Sequence, residues 1–231
     1  MFEGHGPLVG RDTDLDRTGV FLEGGAGPGG LLLLLGEPGV GKTALLAAAA
    51  ARAEERGMQV VATAGAEYKA RLSYSGLRQF LDAAAALHPA LHPGEALAVA
   101  LGRQDGPVPE HGAVADAVLS VVRQLADRRR TLLAVDDVQW LDPASAVVLG
   151  EVARRLVVGG ARMLCAARPG EEGFFDCSGL PVRARGQEEP LGDFLVGQTR
   201  RGQVRDLPLL LRRQHGGLGR PLGARGAAAG A

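Results

Sequence analysis

A chain of 231 residues with 46% apolar side chains has room for one good-sized domain with a real core, and at most an appendage beside it. Formal charge is zero but unevenly placed: residues 181–231 hold nine arginines against four acids, leaving 17 basic and 22 acidic residues before them, so the main body does not read as a nucleic-acid binder. Two cysteines, Cys165 and Cys177, make no disulfide framework, and no apolar stretch reads as a signal peptide or a membrane span; the expectation is a cytoplasmic protein with no membrane partner.

In chain order, the first predicted element is a short helix around Asp12 to Leu22, capped by Asp12 or Thr13. Gly24 to Gly30 then forms a glycine-rich connector. Leu31 to Leu35 is an apolar run of the kind a buried parallel strand carries. It leads into Gly36-Glu37-Pro38-Gly39-Val40-Gly41-Lys42-Thr43, which reads G-x-x-x-x-G-K-T. An alanine-rich helix follows, from Ala44 to Arg56. Strand, glycine loop and helix together point backbone N–H groups at an anion. The eight residues from Gly36 to Thr43 are therefore predicted to cradle a triphosphate. Lys42 reaches the β- and γ-phosphates, and the Thr43 hydroxyl serves Mg²⁺. Only two lysines occur in the chain, Lys42 and Lys69. A lysine kept at this place is an argument for use.

Met58 to Thr63 is the second predicted strand, and residues 64–75 a loop. Leu72 to Leu87 reads as a helix whose apolar stripe is Leu72, Leu77, Phe80, Leu81 and Ala84. His88-Pro89 and His92-Pro93 end it; each histidine precedes a proline, so no metal-binding helix face is expected there. Gly94 to Pro109 is a connector with a helical patch from Glu95 to Leu101, and Ala113 to Arg128 is a strongly amphipathic helix.

Thr131 to Asp137 is an apolar strand ending in two acids. Asp136 is placed to hold the Mg²⁺ shell and Asp137 to polarise a water. Asp142, before Pro143, reads as the cap of a helix from Ala144 to Val158. Arg162 to Ala167 is a further strand ending at Arg168. A cation at the carboxyl end of such a strand faces the ligand crevice, so Arg168 is a candidate sensor of the γ-phosphate; the alternative is a surface arginine before a turn. Leu180 to Arg183 is a weak last strand, and beyond Gly186 the chain is rich in Gly, Arg and Pro with thin periodicity, a tail expected to be poorly ordered.

Several segments together resemble the N-terminal ATPase module of large ATP-binding transcriptional regulators of the LuxR type, AAA-related signal-transduction ATPases. They are Leu8-Val9-Gly10-Arg11, the Gly36–Thr43 loop, residues 74–81, Asp136-Asp137-Val138-Gln139-Trp140-Leu141-Asp142, residues 153–156 and the strand ending at Arg168. The resemblance spans roughly residues 7–170. It implies an α/β P-loop NTPase fold, a three-layer sandwich with a mainly parallel sheet. It also implies that Gly10 and Arg11 lie near the nucleotide edge and that Arg168 contacts the terminal phosphate. Past about Leu180 the pattern stops, and the winged-helix, repeat and helix-turn-helix regions of such regulators are not seen, as in a truncated or frameshifted member.

The expected organisation is residues 1–30 as an N-terminal segment, 31–184 as the ATPase core and 185–231 as the tail. The expected function is an ATP-binding switch module, with Mg²⁺, that hydrolyses slowly: Asp137 stands where fast motor ATPases commonly carry the longer glutamate. Its partners would be ATP and further copies of itself or longer homologues, with no DNA-binding domain in the chain. The rival readings are a small P-loop kinase and a fragment without function.

Overall fold

The computed structural model describes residues 10–24, 30–156, 159–168, 182–183 and 195–199. Helix α1 (Asp12–Glu23) precedes strand β1 (Gly30–Leu35), and α2 (Lys42–Glu55) leads to β2 (Gln59–Ala64). Helices α3 (Ser75–Leu87), α4 (Glu95–Ala100) and α5 (His111–Ala126) then lead to β3 (Thr131–Asp136), α6 (Pro143–Arg155) and β4 (Ala161–Ala167). Two further strands follow, β5 (Val182–Arg183) and β6 (Leu195–Thr199). The sheet order is β2-β3-β4-β1-β6-β5. The first four strands are mutually parallel, β6 lies antiparallel to β1, and β5 antiparallel to β6.

The apolar runs of β1, β3 and β4 are explained by burial on both faces. Side chains alternate along a strand, so each run supplies two cores. Leu32, Leu34, Leu132, Ala134, Leu164 and Ala166 pack on one face under Leu45, Leu46 and Ala49 of α2 and Phe21 and Leu22 of α1. Leu31, Leu33, Leu133, Val135, Met163 and Cys165 pack on the other, beneath α3, α5 and α6. The result is a three-layer α/β sandwich. Helix α5 alone brings Val114, Val118, Val121, Val122 and Leu125 fully out of water. Each such side chain gains roughly 1.5–3 kcal/mol before entropy is counted.

The register decides where the site lies. Leu35 pairs with Ala167, Val135 with Cys165 and Ala64 with Asp136. The carboxyl ends of four parallel strands therefore finish along one edge, and the chain leaves that edge at Gly36, Gly65, Asp137 and Arg168. Strand β4 stands between β1 and β3.

Some expectations are corrected. Helix α1 opens with Arg11 at the cap position and no side-chain cap bond; Asp12 and Asp14 sit in its first turn instead, where negative charge suits the helix dipole. Helix α3 starts at Ser75, three residues later than the periodicity predicts, because Tyr74 takes a left-handed backbone with φ of 59°. Leu72 is consequently 59% exposed and lies off the apolar stripe. Strand β6 lies within the tail that the sequence predicts to be poorly ordered, yet it pairs Leu195 with Leu35 at the edge of β1. The rest of the expected tail, residues 185–194 and 200–231 with its apolar cluster at 207–211, lies outside the described residues, as do Leu8, Val9, Cys177 and residue 184.

Candidate functional site

The loop from Gly36 to Gly41 leaves β1 and enters α2 directly at Lys42. Gly39 and Gly41 hold φ of 85° and 92°, a left-handed backbone that a side chain would strain. Gly36 is tied to the neighbouring strand by its N–H, which donates to the Ala167 carbonyl at 3.4 Å. Glu37, Pro38 and Gly39 are exposed, so the mouth of the loop is open to solvent. Lys42 is 7% exposed, and its Nζ donates to the Gly36 carbonyl at 2.7 Å and the Glu37 carbonyl at 3.0 Å. The ammonium thus lies against the inside of its own loop. Burial lowers its pKa below the ordinary lysine value, with the Arg168 charge adding to the fall; Asp137, Asp136 and Glu37 oppose it. Lys42, both acids and Arg168 therefore share one electrostatic neighbourhood.

Across β4, Asp136 ends β3 and is 4% exposed. Burial pushes its carboxyl above the ordinary range; a hydrogen bond from the Thr43 side chain pulls it back, and the Asp137 charge raises it again. The Asp137 N–H also donates to Asp136 Oδ1 at 2.9 Å. Asp137 has a left-handed backbone with φ of 45°. Its Oδ1 accepts from Gln139 Nε2 at 2.7 Å. Gln139 Oε1 in turn accepts from the Arg168 N–H at 3.2 Å, and the Arg168 guanidinium lies over the Trp140 ring at 5.5 Å.

Arg11 joins from the other side. Its Nη2 donates to the Val40 carbonyl at 3.1 Å, and its Nη1 meets Asp14 at 3.4 Å. Gly10 is exposed, with φ of 73°, immediately before α1. The structure therefore gathers Gly36 to Thr43, Arg11, Asp136, Asp137 and Arg168 at one edge of the sheet. Gly10 reaches that group through Arg11.

The residues fit a nucleoside triphosphate with a hard divalent cation. A buried ammonium turned into a loop of left-handed glycines can meet phosphate oxygens. A threonine hydroxyl against an aspartate supplies only oxygen, the donor type that magnesium takes together with waters and phosphate.

Three contributors, Gly65, Asp14 and Gln139, were not singled out from the sequence, and a fourth, Asp142, does more than the sequence predicts. Gly65 lets the chain after β2 pass under the acidic turn: a Cβ there would lie 2.6 Å from Leu141 N and closer still to the Asp137 carbonyl oxygen. Asp14 holds Arg11. Gln139 bridges Asp137 and Arg168. Asp142 is more than a helix cap. Its carboxylate accepts from the N–H groups of Tyr74 at 2.7 Å, Gly76 at 3.1 Å and Ser145 at 3.0 Å, and from the Ser75 hydroxyl at 3.0 Å. A proline after a cap residue signals α6; nothing local signals the contact with residues 74–76.

A family model described as AAA ATPase domain matches residues 7–164. Comparison with curated proteins gives no match. Among solved structures, the Aeropyrum pernix ORC2 protein, determined as ADPNP–ADP complexes, is similar at 18% identity with a TM-score of 0.45. The alignment covers 72% of this chain and 43% of that one, so this chain spans less than half of that protein's length.

Proposed function

The chain belongs to the AAA ATPase domain family and is a nucleotide-binding module, and from that premise we propose that it is the ATP-binding, slowly hydrolysing switch module of a LuxR-type transcriptional regulator. The observation that carries the reading is the buried Lys42 and the Thr43–Asp136 pair meeting at one sheet edge. In this reading residues 36–43 hold the triphosphate, and Thr43 and Asp136 hold magnesium. Magnesium, when bound, supplies positive charge beside the phosphate oxygens. Asp137 accepts a proton from the attacking water, and Arg168 faces the terminal phosphate. Arg11 steadies the loop through Val40.

The regulator assignment rests on the Gly10-Arg11 pair, the Asp136–Asp142 block and the strand ending at Arg168, in that order along the chain. We place the core in residues 31–184, with 1–30 and 185–231 flanking it, and set the module in the cytoplasm, where ATP and Mg²⁺ are at hand. Among the described residues no helix is long and apolar enough to cross a membrane. Self-association or association with longer homologues would pass the nucleotide state on.

Two measurements test this. Melting the protein with and without ATP–Mg²⁺ should show stabilisation that grows with ligand, about 2.7 kcal/mol at a hundredfold excess over Kd. Labelled phosphate should leave ATP as free phosphate. Transfer to an added acceptor would favour a kinase, and an unshifted melting curve would reject nucleotide binding.

A further inference from the structure

Outside the loop and the two acids, one side chain touches both the expected base and the end of β4. Gln139 lies on the short 3₁₀ turn Val138–Trp140 that follows Asp137. Its amide group spends both ends. Nε2 donates to Asp137 Oδ1 at 2.7 Å, and Oε1 accepts from the Arg168 N–H at 3.2 Å.

The turn itself does not need this side chain. Its backbone is closed by the Trp140 N–H on the Asp137 carbonyl at 2.8 Å and the Leu141 N–H on the Val138 carbonyl at 3.1 Å. It is tied to the loop after β2 by the Gly65 N–H on the Asp136 carbonyl at 3.0 Å and the Ala66 N–H on the Trp140 carbonyl at 3.1 Å. Four backbone bonds hold the turn, while the Gln139 bonds fix the direction of one carboxylate.

We propose that Gln139 is a positioning residue for hydrolysis: its carboxamide holds the Asp137 carboxylate in register with the end of β4, so that base and Arg168 present a fixed geometry to the water and the terminal phosphate. The inference rests on the reading of Asp137 as the base. One oxygen of Asp137 is held by a donor, and its partner oxygen accepts the water proton. A carboxylate released from this bond turns about its own side-chain torsions, and misplacing a reacting group by about 1 Å can cost on the order of 100-fold in rate. Binding energy from the loop and Lys42 does not pass through Gln139.

The test is single-turnover hydrolysis of labelled ATP–Mg²⁺ with the full chain in excess, alongside calorimetric binding of ATP–Mg²⁺. The variants are Gln139→Leu, Gln139→Glu and Asp137→Asn. Leucine removes both bonds. Glutamate keeps an acceptor for the Arg168 N–H but offers no donor to Asp137 and places a second negative charge beside it. Both Gln139 variants should lower the rate about tenfold to a hundredfold with Kd changed less than about twofold. A Gln139→Glu protein that hydrolyses like wild type, or variants whose binding falls in step with rate, would overturn the positioning role. Asp137→Asn turning over like wild type would instead remove the base assignment beneath it. A wild type that leaves bound ATP intact would overturn both.

Discussion

Replacing Asp142 by asparagine tests how residues 137–142 are held against α3. The side chain is fully buried, and its two oxygens take four well-formed bonds, with the Ser145 hydroxyl a further donor beside them. Oδ1 takes the N–H groups of Tyr74 and Ser145; Oδ2 takes the Ser75 hydroxyl and the Gly76 N–H. Asparagine has one oxygen. In its better orientation that oxygen keeps the Oδ1 pair, and the amide nitrogen faces Ser75 and Gly76. The Ser75 hydroxyl can rotate and accept, but the Gly76 N–H is left buried without a partner, at about 1–3 kcal/mol. The two surviving bonds also lose their charge assistance, so the total is about 2–4 kcal/mol. At about 2–4 °C per kcal/mol for a domain of this size, the melting temperature should fall by about 5–15 °C.

The pH dependence has a definite sign. Burial raises the Asp142 carboxyl, but the bonds from Ser145, Gly76 and Tyr74 outweigh it, and the folded pKa lies below the ordinary value. A depressed acid stabilises the fold above its unfolded pKa of about 3.9, and that contribution is lost as pH falls through the folded value. The wild-type advantage over Asp142→Asn should be flat from pH 7 to about 5 and shrink below about 4. Calorimetric melting of both proteins across this range measures it. A variant melting within about 2 °C of wild type at pH 7, against the slope above, would refute the count of bonds; a gap widening in acid would refute the sign.

Lys42→Ala removes the charge-assisted bonds expected to phosphate, about 1.5–3 kcal/mol, so calorimetry should show ATP–Mg²⁺ affinity falling about tenfold to a hundredfold or more; equal binding would reject the loop assignment. Asp136→Asn should abolish the gain in ATP affinity that Mg²⁺ gives the wild type, read by titration with magnesium and with chelator; an unchanged gain would move the metal elsewhere. Gly65→Ala drives a methyl into the Asp137 carbonyl and should destabilise the protein by about 1–3 kcal/mol in denaturant melts while slowing turnover; a wild-type melt would mean that the turn moves freely.

Much of this was legible in the sequence for a local reason. The Gly36–Thr43 loop, the acids after β3 and the Asp142-Pro143 cap are each written in consecutive residues, and the strands β1, β3 and β4 are continuous apolar runs. The start of α3 was not, because Leu72 keeps the helical period while Tyr74 is held left-handed beside Asp142, a contact 68 positions away. The Gln139 bridge depends on β4 lying beside β3, which no spacing in the chain reports. Strand β6 has a glycine at its centre, Gly197, and no long apolar run; it is defined by the open edge of β1.

The position of β4 between β1 and β3 has a mechanical result. With neighbouring strands about 4.8 Å apart, the ends of β1 and β3 stand two spacings away from each other, roughly 10 Å, and the Thr43 and Asp136 side chains meet across that distance. That width is a whole number of hydrogen-bonded ladders, so it does not stretch by degrees as a hinged cleft does. Any change of contact between the loop and the acids therefore comes from side chains turning inside a frame of constant width.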